Sequence, residues 1–545
     1  MKFFKNNKIK VLVTLIFLIS FFLRFYKVAD VPPALYWDEV SQGYNAYSIL
    51  TTGHDEHKEF MPLARFVAFG DYKAPVYTYL IVPFMAFLGK GELAVRLPSV
   101  VLGSFTVLYT FFLTREIFYK ERLRDIISLL SAFFLAISPW HIQLSRGAFE
   151  GNVATFFTIL GIFLFIFSIR RSAHFFILGV ISLVLAFYSF NSHRVFIPLL
   201  TIFLSIIYFK ELWRTKRSVI IGGVIGILLL VPYLLFFTSP ESRIRFQEVN
   251  IFSDLSIIER TNALQAKENN SLLSKAVHNR RVVFALEYVQ NYFDFYNPNF
   301  LFFEGDINTR FSHRNNGQLY LWQLPLILIG IYQIAKGEKR AYIIFGWLLL
   351  APVAAATARE TPHALRAETF LPIFSIFTSV GVVTLICYAK KNTKLIYLLS
   401  ISAVSITVLF SLFAFIYNYF THFPKEFSHD WQYGYKEMIT KVTSIEDDYD
   451  NIYVTRTLGR PYVYFLFYGD YTTQEFWNDS EVERDILGLY NVNRIGKIHF
   501  VEVIPNDVKD NSLVIGNPEQ IPDNYQVIDI VKFLNGRIAF EIAEK

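Results

Sequence analysis

The sequence predicts a polytopic α-helical membrane protein with a small α/β domain on its outer face, and three observations carry that prediction. Of 545 residues, 53% are hydrophobic and 18% aromatic, and the mean hydropathy is +0.35. That is more apolar surface than one soluble core can hide. The apolar residues come in long runs separated by basic turns, and from Thr421 onward those runs give way to the composition of a soluble domain. The net charge of +6 contains no run suited to nucleic acid. Cys387 is the only cysteine, which rules out a disulfide within the chain and a Cys-based metal site.

Taken in order, Lys2, Lys5, Lys8 and Lys10 precede the apolar run 11–22, and Arg24-Phe25-Tyr26-Lys27 stands where a small-residue cleavage site would be. This predicts an uncleaved anchor with its N-terminus in the cytoplasm. Residues 27–73 are rich in charge and aromatics. The next apolar piece, 75–88, falls short of the ~20 residues a span needs and contains Pro75 and Pro83. It is predicted to lie in the outer interface, because a crossing would place Arg115, Lys120, Arg122 and Arg124 outside.

With that choice the runs 97–113, 153–169 and 195–209 descend, and 126–140, 174–190 and 219–237 rise. The runs 319–335, 341–356, 369–389 and 395–420 complete about eleven to thirteen spans. The basic turns at Arg170-Arg171, Lys210 with Arg214, Lys216 and Arg217, Lys336 with Lys339 and Arg340, and Lys390 with Lys391 and Lys394 all fall inside. Two further segments lie outside. Residues 238–318 read as a loop with short helices. Residues 421–545 read as a helix near 431–443 followed by strands at 452–455, 497–503, 512–515 and 525–531. The expected organisation is a membrane domain over 1–420, with outer loops at 27–96 and 238–318, followed by an extracytoplasmic domain over 421–545.

This register gathers the polar clusters on one side. Asp38-Glu39 suits a general base, since a carboxylate beside an apolar surface can take a proton from an attacking hydroxyl. The plainer alternative is a helix N-terminal carboxylate or an interfacial ion pair. Lys73, before Ala74-Pro75, is placed to meet a phosphate at headgroup depth, or simply to snorkel. Arg146 and Glu150 have the i,i+4 spacing of one helix face. They form either a structural ion pair or a phosphate-holding Arg oriented by its Glu. The same two readings apply to Arg194 and Arg366. Asp71, Arg96, Glu150, His193 and His363 are further candidate contacts. Cations facing paired carboxylates are what transfer from a phosphate-linked donor requires. The run His54-Asp55-Glu56-His57 matches no standard zinc spacing, so no metal is assigned.

These residues resemble the GT-C class of membrane glycosyltransferases. The likeness is to the branch of protein O-mannosyltransferases and bacterial lipid A aminoarabinose transferases, the glycosyltransferase family 39-like proteins. It rests on Trp37-Asp38-Glu39, Tyr72-Lys73-Ala74-Pro75-Val76-Tyr77, Arg96-Leu97-Pro98-Ser99, the stretch from Ser145-Arg146 to Glu150 and the long outer loop before Leu319, and it spans roughly 9–420. The resemblance implies a sugar carried on polyprenyl or dolichyl phosphate and moved with inversion to a protein, lipid or glycan acceptor. It makes Asp38 the base and Lys73 the lysine that approaches the lipid phosphate, with Glu39 in a supporting role. Arg96 and Arg146 then sit where relatives keep polar contacts. Tyr72 stands where some relatives carry Glu. No cofactor beyond the lipid-linked donor is implied. Two rival classes are a secondary transporter and a lipid-linked polysaccharide ligase or polymerase. Against the first stand the lack of a two-half repeat and the charge gathered outside rather than at midplane. The second is not expected to carry Asp38-Glu39 so early.

Overall fold

The computed structural model describes residues 7–69, 71–239, 242, 250–337, 339–484, 490–505 and 508–545. The chain begins with helix α1 (Asn7–Phe25) and helix α2 (Trp37–Thr52), followed by a short antiparallel hairpin, β1 (Phe66–Ala68) and β2 (Asp71–Lys73). Helices α3 (Pro75–Leu88) and α4 (Glu92–Ile117) come next. Two compact units emerge. The first comprises Met1–Arg24, Val101–Ser145 and Glu150–Phe413, and the second comprises Phe25–Val100, Arg146–Phe149 and Ala414–Lys545.

Among the described residues five helices are long and apolar enough to cross a membrane: Glu92–Ile117, Glu150–Arg170, Lys216–Phe237, Ala364–Ala389 and Lys394–Glu426. Shorter apolar helices include Phe175–Ser189, His193–Ile207, Gln323–Ala335 and Ala341–Ala355. The chain is a membrane protein: Ile220, Val224, Ile227 and Leu228 on one helix, and Leu395, Leu399, Ile406 and Phe410 on another, are exposed, as lipid-facing side chains must be. The expected span 126–140 is interrupted. Helix Arg124–Ala136 stops, and a new short helix, Pro139–Leu144, starts under a Ser138 cap with Pro at its first position.

Inside the first unit, packing depends on small residues. Helices Gln323–Ala335 and Leu371–Ala389 approach so closely that a Cβ on Gly330 would sit 2.0 Å from the Phe377 carbonyl oxygen, and one on Gly381 would sit 2.0 Å from that of Leu326. Backbones meet this way where dispersion and polar contacts, rather than water exclusion, hold helices together. Two polar links reinforce the core: Gln323 Nε2 donates to Thr378 Oγ1 at 3.2 Å, and the Ser131 and Ser379 hydroxyls lie 2.6 Å apart. The segment 238–318 contains the expected short helices, Leu255–Lys267, Leu272–Val277 and Arg280–Asp294. The last is tied down where Asn291 Nδ2 donates to the carbonyls of Ala356 and Ala358 at 3.2 and 3.0 Å.

The second unit contains a seven-stranded sheet built from β3 (Asn451–Thr455), β4 (Ser480–Arg484), β5 (Tyr490–Ile495), β6 (Ile498–Val501), β7 (Ser512–Gly516), β8 (Gln526–Lys532) and β9 (Ile538–Glu544), in the order β4-β5-β6-β3-β7-β9-β8. Strand β3 runs parallel to both β6 and β7, and the remaining pairs are antiparallel. Ile452, Val454, Leu513, Val514 and Ile515 are fully buried, the near-continuous apolar pattern of strands covered on both faces. All four expected strands are present. Strands β4, β5 and β9 are additional, and β4 is an edge strand reading Ser-Glu-Val-Glu-Arg, which carries no apolar alternation.

Helix α2 packs against helix Pro461–Tyr468 in the same unit. Gly43 permits this, because a Cβ there would lie 2.8 Å from the Phe467 ring and 2.7 Å from Val95. The segment Phe25–Val100 and the C-terminal sheet therefore belong to one compact unit.

Candidate active site

The site grows from the first turn of α2. Tyr36 is extended (φ −82°, ψ 164°), and Glu39, three residues on, accepts the Tyr36 N–H at 3.2 Å, satisfying one of the donors that a helix start leaves open. Asp38 and Glu39 thus both lie in the first turn, where the helix dipole favours negative charge. Their environments differ completely.

The Glu39 side chain is fully buried. Its two oxygens accept from Arg96 Nε at 3.0 Å and Arg96 Nη2 at 2.9 Å, and Oε1 also accepts from the Ala148 N–H at 2.7 Å. Arg96, equally buried, gives Nη1 to the carbonyls of Val28 and Pro32 at 2.9 and 2.7 Å and Nη2 to that of Ala34. All five N–H donors of the guanidinium are engaged, and the Trp431 ring lies 5.7 Å from its carbon. This bidentate pair folds the loop 28–34 around the start of α2.

Asp38 instead meets Lys73, whose Nζ lies 2.6 Å from Asp38 Oδ1. Both side chains stay partly open to solvent, at 22% and 11% exposure. The β1–β2 hairpin holds Lys73, with Phe66 opposite it, and Pro75 starts α3 two residues later. Lys73 Nζ also sits 5.7 Å from the Phe69 ring centroid. Asp71 pairs with Ala68 through its backbone, and its side chain, like Gly70, lies outside the described residues.

Arg146 is buried. It donates from Nη2 to the Val31 carbonyl at 2.6 Å, with its guanidinium carbon 4.8 Å from the Phe420 ring and 5.5 Å from that of Tyr419. The expected single helix face for Arg146 and Glu150 is corrected: one helix ends at Leu144, residues 145–149 form a turn, and the next helix begins at Glu150. Gly147 allows the turn, since a Cβ there would lie 2.5 Å from the Phe149 ring. The turn is what brings the Ala148 N–H to Glu39.

In the first unit, Glu150 is buried at the start of helix Glu150–Arg170. Arg194 stacks on Tyr233 at 4.7 Å, and its Nε and Nη2 are buried without hydrogen-bond partners among the described residues. His193 is buried with its Nδ1 3.4 Å from Ser192 Oγ and its ring among Phe190 and Phe196. Arg366 donates to the Glu360 carbonyl at 3.0 Å. His363 is buried 4.6 Å from the Phe311 ring, and burial, reinforced by Arg366 and Arg310, keeps it well below the usual imidazole range. Asp306 caps the adjacent helix by accepting the Ala364 N–H at 2.6 Å, and burial pushes its carboxyl up to about 6.

Several contributors were not singled out in the sequence. Gln432 Oε1 accepts from the Trp37 N–H at 3.2 Å and from the Tyr464 hydroxyl at 3.1 Å. The rings of Tyr36, Phe149 and Trp431 form a cluster with centroids 5.7 to 6.2 Å apart. The aromatic density of residues 415–435 is the sequence signal for Trp431.

The run His54 to His57 is structural. Asp55 Oδ1 accepts from the backbone N–H groups of His57 and Glu59 at 2.9 and 2.8 Å, and His57 stacks on Tyr490 at 4.0 Å. Burial raises the Asp55 carboxyl from 3.8 to about 6. The folded state therefore holds this proton more tightly than the unfolded chain does. That contribution is fully present below pH ~4 and is lost as pH rises through ~6. In detergent, the difference in unfolding free energy between wild type and Asp55→Asn is expected to shift by about 2–3 kcal/mol between pH 4 and pH 7.5, with wild type losing stability on the alkaline side. A pH-independent difference would show that Asp55 is not the titrating group.

Helical membrane unit, hairpin-borne lysine and carboxylate-led helix together place the chain in the GT-C fold class of polytopic membrane proteins. Residues 72–236 match the family model described as dolichyl-phosphate-mannose-protein mannosyltransferase, a window that includes Lys73, Arg96, Arg146 and Arg194 but not Asp38, Glu39 or Arg366. The chain is similar to ArnT from Cupriavidus metallidurans in the apo state, with TM-score 0.56 and 10% identity, covering 98% of this chain and 97% of that one. It is similar to the same protein bound to undecaprenyl phosphate, with TM-score 0.52, 9% identity and the same coverage. It is also similar to the Archaeoglobus fulgidus oligosaccharyltransferase tethered to an acceptor peptide, with TM-score 0.51 and 14% identity, over 86% of this chain and 64% of that one. Comparison with curated proteins gave no match.

Proposed function

We propose that the protein is an inverting glycosyltransferase that moves a sugar from a polyprenyl-phosphate donor to an acceptor at the outer membrane face. The observation that carries this reading is the difference between the two adjacent acids. Glu39 is saturated by Arg96 and a backbone N–H, whereas Asp38 is half-open and paired only 2.6 Å from a lysine ammonium. The family model over 72–236 and the fold shared with a protein seen bound to undecaprenyl phosphate support the donor class.

In this mechanism the donor phosphate draws the Lys73 ammonium toward itself, freeing Asp38 Oδ1. The acceptor O–H gives its proton to Asp38 as the new bond forms at the anomeric carbon. The bond from that carbon to the phosphate oxygen breaks on the opposite face, and polyprenyl phosphate leaves with the electron pair beside Lys73. One base and one stabilised leaving group suffice, in contrast to the acid and nucleophile pair of a retaining enzyme. Glu39 and Arg96 act as positioning residues that fix the first turn of α2. Arg146, in the same unit as Lys73, is a further candidate for the donor phosphate. In our reading the N-terminus is cytoplasmic and the C-terminal domain over 421–545 is extracytoplasmic, following the basic turns.

Lys73→Ala is the direct test. Titration of purified protein with undecaprenyl phosphate should show affinity reduced about 10-fold, the loss of one charge-assisted contact. Acceptor saturation should change little. Undiminished lipid-phosphate affinity would mean that Lys73 serves only as an anchor for Asp38.

A further inference from the structure

Helix Arg280–Asp294 belongs to the first unit and leans across the end of the apolar helix Ala341–Ala355. The hydroxyls of Tyr288, Tyr292 and Tyr296 donate to the carbonyls of Val353, Leu349 and Leu348 at 3.1, 2.8 and 2.8 Å. As the tyrosine number rises the carbonyl number falls, so this helix runs obliquely back along the apolar one and its C-terminal end lies deeper than its start. The deepest bond answers a gap in the ladder. Pro352 has no N–H to give to the Leu348 carbonyl four residues before it, and the Tyr296 hydroxyl supplies the donor that lipid cannot.

Another face of the same helix is an apolar stripe. Val282, Leu286, Val289 and Phe293 have the i, i+4, i+7, i+11 spacing of one helix side, and they are 43% to 65% exposed. The apolar surface extends to Leu272 and Leu273 in the preceding short helix, at 88% and 75% exposure. It also extends to Leu349, an exposed residue of the apolar helix whose carbonyl Tyr292 holds. The stripe is therefore continuous with a lipid-facing surface. At its shallow end stand three exposed cations, Lys275, Arg280 and Arg281, and no acidic residue occurs between Glu268 and Glu287. Arg280 Nη2 gives one hydrogen bond to Asn262 Oδ1 at 3.1 Å.

We infer that residues 272–293 form an interfacial lipid-binding element, in which the apolar stripe enters one leaflet and the cations at its shallow end hold the phosphates of anionic phospholipids. An amphipathic helix of this kind sits about 5–10 Å into the boundary between headgroups and acyl chains, a depth from which Lys and Arg reach back to phosphate. For these residues a lipid boundary takes the place of an aqueous loop. The inference concerns membrane binding and does not require the transferase reading.

Fluorescence quenching tests it on the full-length protein in nanodiscs of mixed phosphatidylcholine and phosphatidylglycerol, with Cys387→Ser removing the native thiol. An environment-sensitive label on Leu286→Cys should be quenched by lipids spin-labelled high on the acyl chain several-fold more than by aqueous iodide. A label on Gln290→Cys, exposed but off the stripe, should show the reverse. Headgroup preference is read at the Leu286→Cys label, where spin-labelled phosphatidylglycerol should outcompete spin-labelled phosphatidylcholine by about 5-fold for each cation engaged. Lys275→Gln, Arg280→Gln and Arg281→Gln together should remove that preference and leave the depth unchanged. Three results would overturn the inference. Iodide quenching at Leu286→Cys equal to that at Gln290→Cys would make the segment an aqueous loop. Quenching by lipid only when each nanodisc holds a single copy would make the stripe a contact between copies. Equal quenching by the two lipids in the unsubstituted cation cluster would leave the cations without a headgroup to hold.

Discussion

Asp38→Asn is expected to lower sugar transfer by about 10²–10⁴-fold, the usual contribution of a positioned general base, while melting temperature and membrane insertion stay at wild-type values. The substitution keeps the side chain's shape and leaves an amide oxygen for Lys73, so the 2.6 Å contact has a neutral successor. What it removes is the capacity to accept the acceptor's proton. Binding of undecaprenyl phosphate should persist, which separates this variant from Lys73→Ala. Turnover near wild type in purified membranes would remove Asp38 from the role of base.

Arg96→Ala is expected to fail in the opposite sense, through stability. Glu39 would become a buried carboxylate without its cation, and the carbonyls of Val28, Pro32 and Ala34 would lose their donor. Breaking a buried pair by deleting one partner costs about 3–5 kcal/mol, seen as a lowered melting temperature and early proteolysis within 25–36. Arg96→Lys should rescue little, because three ammonium donors cannot reproduce a five-donor planar fork. An Arg96→Ala protein that melts like wild type would show that the loop 28–34 is held by something else. The two variants dissect the adjacent acids: one is expected to lose turnover with the fold intact, the other to lose the fold.

How much of this was legible in the sequence depends on the range of the interaction. Hydrophobic runs, basic turns and the change in composition at Thr421 are local signals, and they predicted the helices, the short helices within 238–318 and four of the strands. Edge strand β4 was invisible because its residues are charged, and strand β9 was not anticipated. The pairing of Asp38 with Lys73 was anticipated only as residence on one side of the membrane. Their 2.6 Å contact depends on the β1–β2 hairpin, two three-residue strands too short to show periodicity.

The split between Asp38 and Glu39 could not be read from adjacency at all. Consecutive residues on a helix point about 100° apart, so one faces Arg96 and the other Lys73, and nothing in the dipeptide says which. The break at 145–149 was hidden likewise, since Arg146 and Glu150 have helical spacing while Gly147 and the Glu39 carboxylate favour a turn.

By itself, then, the sequence determined a polytopic membrane protein with acids and cations set in the segments between its apolar runs, because hydropathy and charge are properties of each stretch alone. Only the tertiary structure decided that residues 25–100 share a core with 414–545, that Glu39 is spent on Arg96, and that Asp38 is left half-open beside Lys73. Each of those depends on partners distant in the chain, and burial and hydrogen bonding assign them only once the chain has closed on itself.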